Sequence, residues 1–322
     1  MARADLILGI VEAARRGDDT SLRRSVEALI AEERGKQHNV LADRLENALR
    51  QNGSHQAPSA EIGRSPAPPV EVIDPRRSLA DLVLPDRVRL ACTELIEEQQ
   101  RVELLRSYGL EPRHRVLLTG PPGNGKTSLA EALAEALLVP LLRVRYEAVV
   151  GSFLGETAAQ LSRVFSFART RRAVLFFDEF DAIAKERGDE HETGEIKRVV
   201  SSLLMQVDDL PSHVVVVAAS NHPELLDRAA GRRFELHLDL PQPDLEARTL
   251  WFKRFLAALD EPVRKTPEGL ARETAGASFA SLEDLTLDVL RRRLLHPEVA
   301  LAPLITERVR RWKQDRKQPR GS

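Results

Sequence analysis

The sequence has very little cysteine, few aromatic residues and no excess of charge of either sign. A single cysteine among 322 residues excludes an internal disulfide, and Cys92, which stands among apolar neighbours, is predicted to be a small packed hydrophobe. Aromatic residues make up 4% of the chain, and 48 Lys and Arg nearly balance 49 Asp and Glu, so the overall charge favours no nucleic-acid partner.

Long apolar runs are also missing, since no stretch approaches the roughly 18 residues that a membrane span requires. We therefore expect no membrane association and a cytoplasmic protein. With 42% hydrophobic residues, the chain has enough apolar material for two or three compact units.

Composition and apolar spacing divide the chain into five segments. Residues 1–51 are predicted to form a small helical domain, which either docks a partner or packs on the main body or a neighbouring subunit. Residues 52–72 contain the Gly, Ser, Ala and Pro of a flexible linker. Residues 73–241 alternate strands with helices, which predicts an α/β domain with a parallel sheet between two layers of helices, and residues 242–316 form an all-α domain before a tail at 317–322.

Within these segments the apolar pattern predicts individual elements. Strands are expected near residues 116–119, 141–144, 174–177, 214–219 and 234–238, and helices near 88–107, 128–138, 157–171, 194–207, 245–259, 267–273, 282–295 and 304–312.

The first predicted strand leads into a loop of glycines and prolines. Gly120, Gly125, Lys126 and Thr127 match the G-x-x-x-x-G-K-[ST] template, for which an ordinary turn before a helix is the alternative. In such a loop, backbone N–H groups and the helix dipole enclose a phosphate, Lys126 reaches the β and γ oxygens, and the Thr127 hydroxyl binds Mg²⁺. The predicted ATP-binding residues are Gly120, Pro121, Pro122, Gly123, Asn124, Gly125, Lys126, Thr127, Ser128 and Asp178.

A second motif follows about 50 residues later, where an apolar run ends in two acids. Asp178 is expected to share the Mg²⁺ with Thr127, and Glu179 to polarise the water that attacks the γ-phosphate. The alternative is an ordinary strand end, although a position after a P-loop favours the catalytic interpretation.

Together with residues 218–227, these motifs resemble the AAA+ ATPases, specifically the classical AAA clade, over residues 78–295. The resemblance implies a P-loop NTPase sheet followed by a small helical lid domain, and Mg²⁺-dependent hydrolysis of ATP. It also implies that Asn221 is the sensor-1 residue, which contacts the γ-phosphate or the attacking water. A turn cap before Pro223 is the simpler role, and both roles can coexist.

Residues 232–235 resemble the Arg-Phe-Asp ending of the family, which places arginine fingers in the neighbouring subunit's site. The resemblance indicates Arg233 first, Arg232 second and Arg228 third, with a structural ion pair as the alternative for at least one of them. The segment is shorter than in the family. Fingers that act between subunits imply a homo-oligomer, and the resemblance to the family implies that it is a hexameric ring.

Residues 151–157 resemble the family's aromatic pore loop, with Phe153 as the side chain that grips substrate, and residues 187–194 resemble the second pore loop. The adenine is expected near residues 81–83 and Gly276 or Ala277, while Phe279 replaces the family's glycine in the lid.

The resemblance implies a motor that couples ATP hydrolysis to remodelling, unfolding or translocation of a protein substrate through the ring. A separate adaptor or peptidase is expected to bind through residues 1–51. The alternatives are a nucleotide switch, a nucleic-acid-associated or clamp-loader-like ATPase, and a scaffold that only binds nucleotide; the acidic segment 189–192 argues against the nucleic-acid motor.

Overall fold

The computed structural model describes residues 24, 26–28, 30, 69–144, 154–181, 202–225, 231–259, 261 and 263–317. The chain divides into two compact units, Met1–Ser65 and Pro66–Ser322. In the first unit the described residues are helical and Ile30 is buried, in line with the helices predicted there. All further description concerns the second unit.

A six-stranded sheet forms the centre of this unit. Its strands are β1 (Val70–Ile73), β2 (Arg115–Thr119), β3 (Leu141–Val144), β4 (Ala173–Phe177), β5 (Val214–Ser220) and β6 (Leu236–Asp239). They lie in the order β1-β3-β4-β5-β2-β6, in which β1 pairs antiparallel with β3 and every other pair is parallel. The α/β fold with a mainly parallel sheet is therefore confirmed.

The central strands are continuous apolar runs because both of their faces are buried. All residues of β4 and β5 are buried, and alternate residues contribute to opposite cores. One core receives Leu161 and Phe165 of helix α4 (Leu154–Arg169) together with the helical residues 202–208. The opposite core receives α1 (Asp86–Gln100) and α3 (Lys126–Ala136). The short α2 (Val102–Ser107) follows α1 and contributes no buried residue.

A separate helical domain follows the sheet, as expected. It contains α5 (Leu245–Ala257), α6 (Pro267–Glu273), α7 (Phe279–Leu295) and α8 (Leu301–Lys317). Asp244, Thr266 and Ser278 cap the first three of these helices by accepting a backbone hydrogen bond. The domain has its own core, which includes Phe252 and Leu282.

The structure differs from the sequence prediction in several places. The predicted flexible linker 52–72 overlaps β1, since Val70–Ile73 is a strand; residues 52–68 lie outside the described residues. The helix predicted over 88–107 is two helices that meet at Arg101, whose φ of −112° and ψ of 33° leave the helical range. The last strand is Leu236–Asp239 rather than 234–238, because Phe234 instead packs edge-on against Phe180.

Cys92 is buried and free, which confirms the packed hydrophobe, and burial raises the pKa of its thiol to about 12. Among the described residues, no helix combines the length and apolar character needed to span a membrane.

Candidate active site

The loop after β2 is shaped by three glycines with positive φ. Gly120, Gly123 and Gly125 have φ of +134°, +75° and +89°, where L side chains are strained, and Gly125 is the N-cap of α3. The helix begins at Lys126, two residues earlier than predicted. Its first backbone N–H groups are therefore available at the loop to bind an anion.

Lys126 is enclosed by the loop that precedes it. Its Nζ donates to the carbonyl oxygens of Gly120 at 2.6 Å and Pro121 at 3.0 Å, and the residue is only 7% exposed. Desolvation lowers the pKa of Lys126, and the charges of Asp178 and Asp181 act in the opposite direction. A poorly solvated cation of this kind is stabilised when phosphate oxygens replace the missing water.

Thr127 and Asp178 face each other at the carboxyl ends of the strands. The Thr127 hydroxyl lies 3.3 Å from Asp178 Oδ2, and Arg143 of β3 donates to the same oxygen at 3.3 Å. A hydroxyl and a carboxylate are hard oxygen donors, and Mg²⁺ is usually held by one or two such groups together with waters and phosphates. The donor set therefore fits Mg²⁺, and Arg143 shows that this carboxylate already accepts a cationic partner.

Glu179 lies directly beyond β4 with its backbone in the left-handed region, at φ +51°. Its N–H donates to Asp178 Oδ1 at 3.1 Å, and the residue is exposed. Non-glycine residues with positive φ are uncommon and concentrate at functional sites. This turn holds Asp178 by its backbone and leaves the Glu179 carboxylate free to act on a bound group.

Two asparagines contribute amides with unused hydrogen-bonding capacity. Asn124 is 3% exposed, and within the described part of the chain neither its Oδ1 nor its Nδ2 has a partner. Asn221 follows β5; its backbone N–H donates to Asp181 Oδ1 at 3.3 Å, whereas its buried Oδ1 has no partner among the described residues. Because a buried amide without a partner costs free energy, these groups are ready to bind a ligand.

A cavity of about 690 Å³ joins most of these groups, whereas the predicted site residues Gly120, Pro121 and Glu179 are not among its lining residues. Its predicted lining residues are Asp81, Leu82, Val83, Pro122, Gly123, Asn124, Gly125, Lys126, Thr127, Ser128, Asp178 and Asn221. No sequence motif indicated Arg76, Arg77, Leu84, Glu131, Trp251 and Glu283. Phe279 and Ala280 belong to the lid segment that resembles the family's adenine-side motif, from which Phe279 departs and which Ala280 keeps. Gly276 and Ala277, the other adenine candidates, are not among the lining residues: Gly276 O accepts from Gln242, and Ala277 lies in the lid core.

The wall of the cavity that the lid contributes is aromatic. Trp251 of α5 lies against Phe279 of α7 with ring centroids 5.7 Å apart. The Trp251 Nε1 atom is buried and has no hydrogen-bond partner in the described residues. A flat apolar surface with one unused donor suits a heterocyclic base.

The two candidate arginine fingers have different surroundings. Arg233 forms an ion pair with Asp208, which also binds Arg115 at 3.2 Å. Arg232 is exposed, and no ion pair is found for it among the residues that the structure describes. Phe153, Arg228 and the segment 187–194 lie outside the described residues, so their predicted roles stay predictions.

A glycine-rich loop between a buried parallel strand and a helix, with a carboxylate at the end of the neighbouring strand, defines a P-loop nucleoside triphosphatase.

Comparison with known proteins narrows this class. The model of the ATPase family associated with various cellular activities (AAA) matches residues 116–242. An uncharacterized AAA family ATPase, y4kL, of Sinorhizobium fredii is 35% identical over 305 residues, which cover 92% of this chain and 90% of that protein. The chain belongs to the AAA family of ATPases, and it is an enzyme that hydrolyses ATP.

Other relatives match a smaller share of the chain. A proteasome-activating nucleotidase of Thermococcus onnurineus is 36% identical over 198 residues, which cover 58% of this chain and 48% of that protein. A cell division cycle protein 48 homolog of Archaeoglobus fulgidus is 37% identical over 186 residues, which cover 56% of this chain and 25% of that protein. The chain therefore matches less than half of the length of each of these two relatives.

Proposed function

We propose that this chain is the subunit of a hexameric ring that uses ATP hydrolysis to unfold, remodel or translocate protein substrates. The observation that carries the proposal is the cavity between the P-loop and the lid, which Asp178 lines at the strand edge and next to which Glu179 follows Asp178 in the chain. Relatives named as a proteasome-activating nucleotidase and a cell division cycle protein 48 homolog support a role on protein substrates.

The described contacts support a division of roles in the site. Lys126 and the backbone N–H groups of the glycine-rich loop and of the start of α3 bind the phosphates. The Thr127 hydroxyl and the Asp178 carboxylate would hold Mg²⁺, which would neutralise phosphate charge. Glu179 orients and deprotonates the attacking water. The free Asn221 Oδ1 is available to accept a hydrogen bond from that water.

The arginine that acts on a neighbouring subunit is proposed to be Arg232, with Arg233 as its anchor. This reverses the order expected from the sequence. The Arg233–Asp208 ion pair ties the end of this segment to the same subunit, while Arg232 is exposed and free to reach across an interface. Removing such a finger costs about 10³ to 10⁵ in rate.

The remaining parts of the proposal rest on the sequence resemblance. Phe153 grips substrate in the pore, and residues 1–51, joined by a linker, dock an adaptor, a substrate or a separate peptidase. Residues 70–241, which include β1, form the large domain and residues 242–316 the lid.

The test is the size of a Glu179→Gln variant, measured by light scattering with and without ATP. Glu179→Gln keeps the phosphate-binding groups but loses the base, so turnover is expected to fall by about 10² to 10⁴. Trapped ATP should then produce a particle of six times the 36.0 kDa of one chain. A double variant that adds Lys126→Ala is the control, because it should not retain ATP and should not assemble. A Glu179→Gln protein that binds ATP but stays monomeric at high concentration contradicts the ring.

A further inference from the structure

The segment between β1 and the short 3₁₀ helix Leu79–Asp81 runs beside the cavity, and we call its residues 74–78 the strap. The backbone N–H groups of Arg76 and Arg77 both donate to Glu131 Oε1 of α3, at 3.0 and 3.3 Å. The strap is thereby attached to the helix that follows the phosphate-binding loop.

The side chain of Arg77 continues from the strap across the cavity. One terminal nitrogen donates to Ser128 Oγ of α3 at 3.3 Å, and the other donates to Glu283 Oε1 of the lid helix α7 at 3.0 Å. Arg77, Ser128 and Glu283 all line the cavity. A single guanidinium thus connects the P-loop helix to the lid next to the place where a nucleotide binds.

Two further contacts join the same parts of the molecule. The Ala280 N–H at the start of α7 donates to Gly123 O at 2.9 Å. On the other side of the lid, Arg254 donates to the carbonyl oxygens of Ala80 at 3.0 Å and Asp81 at 3.2 Å. Polar contacts therefore help to set the position of the lid, and within the described part of the chain the Arg77–Glu283 pair is the one that joins two charged side chains across it.

We propose that Arg77 is a positioning residue that fastens the lid over the nucleotide by its ion pair with Glu283. The inference rests on the proposed nucleotide site and adds to it a determinant of nucleotide affinity. If only the closed arrangement binds nucleotide tightly, the apparent Kd is the intrinsic Kd divided by the closed fraction. Loss of the pair lowers that fraction and raises both Kd and KM. It leaves kcat nearly unchanged, because Lys126 and Glu179 keep their places.

The size of the effect follows from exposure. The Arg77 and Glu283 side chains are 37% and 39% exposed, so solvent screens the pair. Such pairs contribute about 0.2–1 kcal/mol, which corresponds to about a 1.5- to 5-fold change in Kd. Arg77→Gln also removes the charged donor to Ser128, and we expect it to weaken binding by up to about tenfold.

The experiment is calorimetric titration of ADP with MgCl₂ into the full-length chain, together with KM and kcat for ATP. The variants are Glu283→Gln, Arg77→Gln and the exchange Arg77→Glu with Glu283→Arg. Glu261→Gln is the matched control, because Glu261 pairs with Arg293 in the same domain and does not line the cavity. We expect weaker ADP binding in both single variants, wild-type binding in the control, and recovery to within about twofold of wild type in the exchanged protein.

The outcomes distinguish a contact with the lid from a direct contact with the nucleotide. Wild-type affinity in Glu283→Gln overturns the proposal, as does a fall in kcat with unchanged KM. An exchanged protein weaker than both single variants also overturns it, because Arg77 then acts on the nucleotide directly rather than through Glu283. If the wild-type chain itself does not bind ADP, the proposed nucleotide site fails first. Glu283→Gln preserves side-chain volume, so a folding defect in Arg77→Gln does not remove the test.

Discussion

Gly120 offers a sharp test of how the phosphate-binding loop is held. A Cβ added there would lie 2.2 Å from the carbonyl oxygen of Leu240 and 2.9 Å from its carbon, and the backbone φ is +134°. Leu240 cannot move away cheaply, because its N–H donates to Thr119 O at 2.8 Å. Gly120→Ala must therefore displace backbone at the end of β2 or beyond β6.

The loss of stability in Gly120→Ala can be compared with that at Gly109, a glycine where an added side chain would cause backbone strain but no clash. Gly109 has φ +74° and nothing within 4 Å of an added Cβ, so Gly109→Ala should cost only about 1–2 kcal/mol. Gly120→Ala adds an overpacking cost of about 1–3 kcal/mol to strain of about 1–3 kcal/mol. At about 2–4 °C per kcal/mol for a unit of this size, Gly109→Ala should lower Tm by about 2–8 °C and Gly120→Ala by at least about twice as much.

The assay is thermal unfolding followed by far-ultraviolet circular dichroism, without nucleotide. Gly125→Ala completes the series, since Gly125 has φ +89° but open space around its Cβ position. It should melt like Gly109→Ala yet lose ADP affinity, because it re-orients the first N–H groups of α3. If Gly120→Ala melts within error of Gly109→Ala, the loop is not held against Leu240.

Two other predictions concern pH and the lid. Desolvation lowers the pKa of His114 from 6.5, so the unfolded state takes up a proton first as the pH falls below about 6.5, and stability decreases there. Between pH 7 and about 5, a window above most carboxylate pKa values, the Tm of His114→Gln should therefore fall less than the Tm of wild type. The control His296→Gln changes an exposed histidine, and its Tm should fall as in wild type. Equal falls in Tm in all three proteins contradict the assignment. Trp251→Ala should weaken ADP binding by about 3- to 10-fold through lost stacking, and Trp251→Phe should retain most of the affinity. Unchanged affinity in Trp251→Ala places the base elsewhere.

The parts of the fold that could be predicted from the sequence are those in which burial decides the pattern. The run Ala173–Phe177 is apolar throughout because both faces of β4 are covered, so the strand and the acids beyond it were recognisable. The strand Val70–Ile73 is short, lies at the sheet edge and has two exposed residues, so its pairing with β3 left no continuous apolar signal. Such a strand depends on a long-range partner rather than on its own sequence.

The candidate site was predictable where a local motif specifies the chemistry. Arg77, Trp251 and Glu283 enter the cavity through tertiary packing, and in the sequence they look like ordinary helix or loop residues. Glu131 is different, because it lies one turn beyond Ser128 on α3 and so shares a face with the phosphate-binding residues. That spacing was a usable signal.

The way the lid is attached has a consequence for how ATP can do work in this molecule. The lid helices have a core of their own, separate from the two cores that cover the sheet. The contacts between lid and sheet at the cavity include backbone hydrogen bonds and partly exposed arginine pairs, such as Ala280 with Gly123 and Arg77 with Glu283. Contacts of this kind contribute about 1 kcal/mol each, so the lid can turn against the sheet without unpacking either core. Residues of the P-loop and of the lid line the same cavity, so a nucleotide bound there would contact both sides. The proposed function therefore predicts that nucleotide binding and hydrolysis shift the lid through these polar interactions.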